Sequence, residues 1–188
     1  MKKFLVWIFV SAFLFSFAFS EDIVEGYWKS FARKRQVSGY WKIYQKDGML
    51  YGNCILAMNS PVDVQCDKCT RNYTGHPLAA EVLRSSYMAR VPLIYNLKKV
   101  ENGVWEKGYI IDARNGRVYH CSISYIKADG KKFKEDSLAL RGQISIGLGK
   151  TIYWEKASVA EINEAIKKQA EKLGSDYART HIDEFLIK

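Results

Sequence analysis

Val37-Ser38-Gly39-Tyr40-Trp41-Lys42-Ile43-Tyr44-Gln45-Lys46-Asp47-Gly48-Met49-Leu50-Tyr51-Gly52-Asn53-Cys54-Ile55-Leu56-Ala57-Met58 reads as two β-runs around a two-residue turn. Asp-Gly between alternating apolar residues is a strong short-range hairpin signal, because both turn positions must take positive φ. On either side of the turn the apolar residues fall on one face: Trp41 and Ile43 before it, Leu50, Cys54, Leu56 and Met58 after it. Lys42 and Asn53 fall on the other.

Working outward, the same pattern recurs. Eight runs follow one another at about Gly26 to Ala32, Val37 to Gln45, Met49 to Met58, Val91 to Val100, Val104 to Asp112, Arg117 to Lys127, Leu138 to Ile146 and Lys150 to Glu155. Asn102-Gly103, Asn115-Gly116 and Asp129-Gly130 mark further joins, and Gly147 with Gly149 allow a tight one between the last two runs. Hairpin-linked runs predict an antiparallel sheet with one apolar and one wet face. The later runs contribute Leu93, Tyr95 and Leu97, then Tyr119, Cys121, Ile123 and Tyr125, then Leu138, Leu140, Ile144 and Ile146 to the apolar face. Eight such strands close most simply as an up-and-down barrel, whose interior is filled by side chains or holds one small ligand.

Two segments stand outside this regularity. The connection from Asn59 to Arg90 is too long for a plain turn and carries Cys66-Asp67-Lys68-Cys69, so it reads as a partly ordered lid with a helix over Ala79 to Met88. After Glu155, Ser158-Val159-Ala160-Glu161 is a capping box. Val159, Ile162, Ile166 and Leu173 then fall on one helical face, and Gly174 marks the stop. This amphipathic helix is expected to dock on the barrel wall, with a protein partner or an anionic envelope surface as its other use.

Lys2 and Lys3, an apolar run from Phe4 to Phe19, and small residues at Ala18 and Ser20 make residues 1–20 a secretory leader cut before Glu21. The run is shorter than the roughly 20 residues a spanning helix needs. The expected organisation is therefore leader 1–20, barrel 21–156 and helical extension 157–188. Losing Lys2 and Lys3 lowers the formal net charge from +9 to +7. Export makes nucleic acid an unexpected partner for this basic chain and leaves anionic surfaces within reach of Arg33-Lys34-Arg35 and Lys131-Lys132. The destination is the periplasm or the medium.

Cys54, Cys66, Cys69 and Cys121 are all in the mature chain, and an even count in an oxidising compartment favours disulfides. The Cys66-x-x-Cys69 pair admits a redox couple, half a zinc site with His76, His120 or Cys121, or a structural bridge within the loop or to Cys121. No βαβ unit surrounds it and no second ligand pair lies nearby, so the structural bridge is preferred and neither metal nor cofactor is expected. Gly147-Leu148-Gly149-Lys150-Thr151 lacks the earlier glycine of a phosphate loop and reads as a turn. No nucleophile can be tied to a His and an acid by spacing, so a binding role is expected rather than an enzyme.

Gly26-Tyr27-Trp28, the hairpin from Ile43 to Gly52, Cys66-Asp67-Lys68-Cys69, Trp105 to Cys121, and Leu140-Arg141-Gly142 through Trp154 together resemble the exported bacterial family known as domain of unknown function 2147. The resemblance spans roughly residues 24 to 156 and implies a lipocalin-like barrel that binds a small hydrophobic molecule such as a fatty acid or lipid fragment. Gly26-x-Trp28 is similar to the lipocalin signature, in which the Trp plugs one barrel end beneath a late-strand Arg. Arg141 is the matching candidate, by a cation–π contact. Trp41, Tyr95, Trp105 and Tyr119 are the candidate cavity wall. The chain departs from the family at Asp112-Ala113, at Cys54, in the longer Ala79 to Arg90 segment and in the helical tail.

Overall fold

The structure, a computed structural model, describes residues 22–145 and 148–188, with the side chain of residue 145 also outside the description. The expected leader, residues 1–20, and residues 146–147 of the expected join between the last two strands therefore lie outside the described residues. The chain folds as β1 (Gly26–Phe31), β2 (Val37–Lys46), β3 (Met49–Ala57), α1 (Ala80–Ser85), β4 (Pro92–Glu101), β5 (Val104–Asp112), β6 (Arg117–Ile126), β7 (Ser137–Ser145), β8 (Leu148–Lys156), α2 (Val159–Leu173) and α3 (Asp176–Thr180). Each strand pairs antiparallel with the next, and β8 returns to β1 through Trp28↔Lys156 and Lys29↔Glu155 to close the barrel. At the Asp47-Gly48 turn both residues take positive φ, 51° and 74°.

Up-and-down order puts the β1–β2, β3–β4, β5–β6 and β7–β8 connections at one end, here called upper. The β2–β3, β4–β5 and β6–β7 turns and the start of β1 lie at the lower end. Trp28, Ile43, Leu50, Ile94, Leu97, Trp105, Cys121, Ile123, Leu138, Leu140 and Trp154 form one buried cluster that fills the barrel.

The alternation expected along β4 breaks at Asn96, whose φ is 58°. Leu97 and Ile94 face inward, so Leu93 and Tyr95 face out, and Tyr95 belongs to the outer wall rather than to a cavity. The outward face of β4 and β5 is covered by the 59–91 connection, through a cluster that includes Cys66, Cys69, Tyr73, Leu83, Leu93, Tyr95 and Ile111. Tyr73 Oη donates to Gly116 O at 2.9 Å, and Asn96 Nδ2 donates to Gly75 O, tying this segment to the wall. The expected lid is thus mainly a side buttress, and its helix is shorter than expected, α1 followed by a 3₁₀ turn at Met88–Arg90.

The capping box forms: the Ser158 hydroxyl accepts from Glu161 N at 3.1 Å. Ile162, Ile166 and Ala170 of α2 pack with Tyr40, Leu56 and Val62, so the helix docks on the outer wall of β2 and β3. Gly174 ends α2 for a reason other than a left-handed cap. Its φ is −66°, and a Cβ there would lie 2.6 Å from Ala170 O. The tail then returns to the wall, with Phe185, Leu186 and Ile187 against the same cluster.

Candidate functional site

The lower end of the barrel is sealed by the segment entering β1. Trp28 is fully buried, and its indole Nε1 donates to Val24 O at 2.8 Å. The Asp22 Oδ1 accepts from Val24 N and Gly103 N, and its Oδ2 lies 2.8 Å from Lys99 Nζ. Burial pushes the Asp22 carboxyl up, but hydrogen bonds from Lys99 and from the Val24 amide outweigh it and hold the pKa below the ordinary value. The cation over Trp28 is Lys156, 4.1 Å from the ring centroid, not Arg141. The reason is register: β8 runs on to Lys156, directly opposite Trp28. Arg141 alternates with inward Leu140 and donates to Thr151 Oγ1 at 3.4 Å.

Above this plug the interior is solid. Trp105 is fully buried among the core residues, so it is filling rather than the wall of a cavity. Lys107, with φ of 59°, makes the bulge that lets both Trp105 and Gly108 face in. A Cβ on Gly108 would sit 2.5 Å from Leu97 Cγ, which shows how little space remains there.

Toward the upper end the packing stops. Gly142 shares a face of β7 with Leu138 and Leu140, and a Cβ built on it meets nothing within 4 Å among the described residues. Around that level Trp41, Ile110, Tyr119 and Ile152 are only half-buried. Trp41 stacks on the buried Trp154 at 4.9 Å between centroids, and its Nε1 donates to Ser30 Oγ at 3.3 Å. The indole N–H of Trp154 has no acceptor among the described residues. At the flanks of the β7–β8 turn, Ile144 and Leu148 are 78% and 68% exposed. A separate cleft of about 280 Å³ opens on the outer face at the β5–β6 bulge, lined by Glu106, Lys107, His120, Cys121, Ser122 and Gln143. The interior is thus less closely packed toward the upper end than below it. Trp41 and Tyr119 are half-buried, whereas Tyr95 lies on the outer wall and Trp105 is core.

The cysteines divide into two kinds. Cys66 and Cys69 are joined to each other, so the bridge to Cys121 does not form. Cys54 and Cys121 are buried free thiols, and desolvation pushes Cys54 up to about 12 and Cys121 up as well. Thiols held protonated in this way are poor nucleophiles and poor metal ligands. His76 accepts from Leu78 N at Nδ1, 3.1 Å, lies 2.9 Å from Pro92 O through Nε2, and packs edge-on against Tyr95. His120 lies against Tyr109 on the outer face. Among the described residues no group of three or more His, Cys, Asp or Glu side chains is placed to hold a metal ion.

Comparison with known proteins places this geometry. One solved structure, that of protein HP1028 from the human pathogen Helicobacter pylori, described as belonging to the lipocalin family, superposes with a TM-score of 0.55 at 17% sequence identity. The match covers 79% of this chain and 95% of that one, and at such identity it speaks for the fold. No curated protein sequence matches significantly. Residues 26–156, the whole barrel from the first residue of β1 to the last of β8, match the model of a family described as an uncharacterized protein conserved in bacteria. The chain thus belongs to the bacterial family called domain of unknown function 2147, and its fold is that of a lipocalin-like barrel.

Proposed function

We propose that this protein is exported and binds a small apolar molecule, of the fatty-acid or lipid-fragment kind, in the upper cup of its barrel. The observation that carries the reading is that a Cβ at Gly142 would meet no other described residue, in a barrel whose Trp41, Ile110, Tyr119 and Ile152 are only half-buried. Apolar surface left wet in this way gains about 25 cal/mol per Å² when a ligand covers it. A rigid aromatic floor costs little ordering on binding. Lipocalin-like barrels have room for one small ligand, which supports the same reading by analogy of fold. Export is supported by the leader-like residues 1–20 and by a disulfide in a chain of this size. Binding is favoured over catalysis because the buried thiols are held protonated and His76 is engaged by backbone groups.

Native mass spectrometry of protein taken from the periplasm of an expressing bacterium, before and after denaturation, tests this reading. The expected result is a polypeptide lacking residues 1–20 that releases a lipid-sized mass on denaturation. Gly142→Phe, which fills the cup, is expected to carry none. A wild-type polypeptide that is bare, and that takes up no fatty acid on titration, would refute the binding role. A chain retaining residues 1–20 would refute the cleavage.

A further inference from the structure

A second cleft among the described residues is not in the barrel at all. It lies outside, between the barrel wall and the C-terminal tail, with a volume of about 330 Å³, within the range of small-molecule sites. Its floor is a row of cross-strand neighbours, Tyr27↔Lys42 and Lys42↔Asn53, on the wet face of β1, β2 and β3. Its roof is Phe185, Leu186 and Ile187. The roof is fixed from outside: the Asn163 side chain on α2 donates to Ile187 O at 3.0 Å and accepts from Ile187 N at 2.9 Å, a reciprocal pair that clamps the tail. Phe185 leans on Tyr87 at 5.6 Å, and Asn53 Nδ2 donates to Ala89 O at 3.2 Å, which closes the side.

The lining mixes apolar and polar surface, with Tyr27, Ile55, Tyr87 and Phe185 beside Lys42, Asn53 and Arg90. Lys42 is exposed, its ammonium lies 6.0 Å from the rings of both Tyr27 and Tyr44, and it has no carboxylate partner among the described residues. Arg90 lies over Tyr87 and Phe185 and reaches Glu184 at 3.6 Å, a loose, exposed pair. Lys42, Arg90 and Lys188 outnumber Glu184 among the side chains around these aromatic and aliphatic walls, which is complementary to a negative charge on an apolar body.

We infer that this outer groove is a second binding site, for a small amphiphilic carboxylate whose apolar body lies under Phe185 and Ile187 and whose anionic head meets Lys42 and Arg90. It does not depend on the barrel cup, and a ligand in one site leaves the other free.

The test is an amide NMR titration of the whole protein with decanoate, read at both sites, with decanamide as the uncharged control. Decanoate should shift the amides of Lys42, Tyr87, Arg90 and Ile187, and decanamide should bind there at least tenfold more weakly. Lys42→Glu should weaken decanoate at these amides at least tenfold, Lys42→Arg should retain it, and Gly142→Phe should leave it unchanged. Shifts confined to the cup around Tyr119, Gly142 and Ile152 would overturn the outer site while sparing the cup. Equal binding of decanoate and decanamide at the groove would overturn its charge selectivity, and no shift at the groove amides would overturn it altogether.

Discussion

Gly108 and Gly142 both face the barrel interior, one in its filled part and one in the open cup, so the same substitution should act on them with opposite sign. In Gly108→Ala the new methyl would lie 2.5 and 2.6 Å from Leu97 Cγ and Cδ1 and 2.7 Å from the Leu97 backbone nitrogen. The side chain can turn, but the backbone atom cannot, so β4 must move. Overpacking of this kind costs about 1–3 kcal/mol. The stiffer unfolded chain returns about 0.4–1 kcal/mol, leaving a net loss of roughly 1.5 kcal/mol. For a chain of this size that lowers Tm by about 3–6 °C. In Gly142→Ala the methyl meets nothing among the described residues, so the unfolded-state term should act alone and stabilise by about 0.4–1 kcal/mol. Urea unfolding of both variants, followed by tryptophan fluorescence, should separate them by about 2 kcal/mol. Equal destabilisation by the two substitutions would mean that the upper barrel is packed like the lower, and the cup would be refuted with it.

Thiol titration of the oxidised protein should find no reactive cysteine in the native state and two after unfolding, Cys54 and Cys121; reduction should raise the unfolded count to four. Asp22 has a folded pKa below its unfolded one, so its contribution to stability is fully present above the unfolded value and is lost as pH falls through the folded one. Asp22→Asn should therefore be less stable than wild type at pH 7, and the difference should shrink below about pH 4 in denaturant titrations at stepped pH. Lys156→Met should cost about 0.5–2 kcal/mol and change the fluorescence of Trp28, because its ammonium covers that ring, whereas Arg141→Met should change neither by more than a few tenths. Ser158→Ala removes the α2 cap and should cost about 1 kcal/mol, read by thermal unfolding.

What the sequence made legible, and what it did not, divides along a physical line. The eight strands follow from Asp-Gly and Asn-Gly turns and from alternation, and both are local. The capping box at Ser158 is local too. Trp28 as plug was legible, but its cation was not, because the choice between Arg141 and Lys156 depends on how far β8 runs before it meets β1. The cup was misread for a related reason. One residue with positive φ inside a strand reverses every side chain beyond it, and Asn96 does this to Tyr95. Asn at that position is a signal that could have been read, since it tolerates left-handed backbone better than most residues. Lys107 offers no such signal, and there only the packing of Gly108 against Leu97 fixes the register. The outer groove was invisible for a third reason: its roof comes from residues 185–187 and its floor from residues 27–53, and the tail is held there by packing and by Asn163 of α2. Bulges therefore decide which aromatics face inward, and a tail far along the chain roofs the other site. Two members of this family could share every turn dipeptide, close the same barrel, and still present different residues to a ligand.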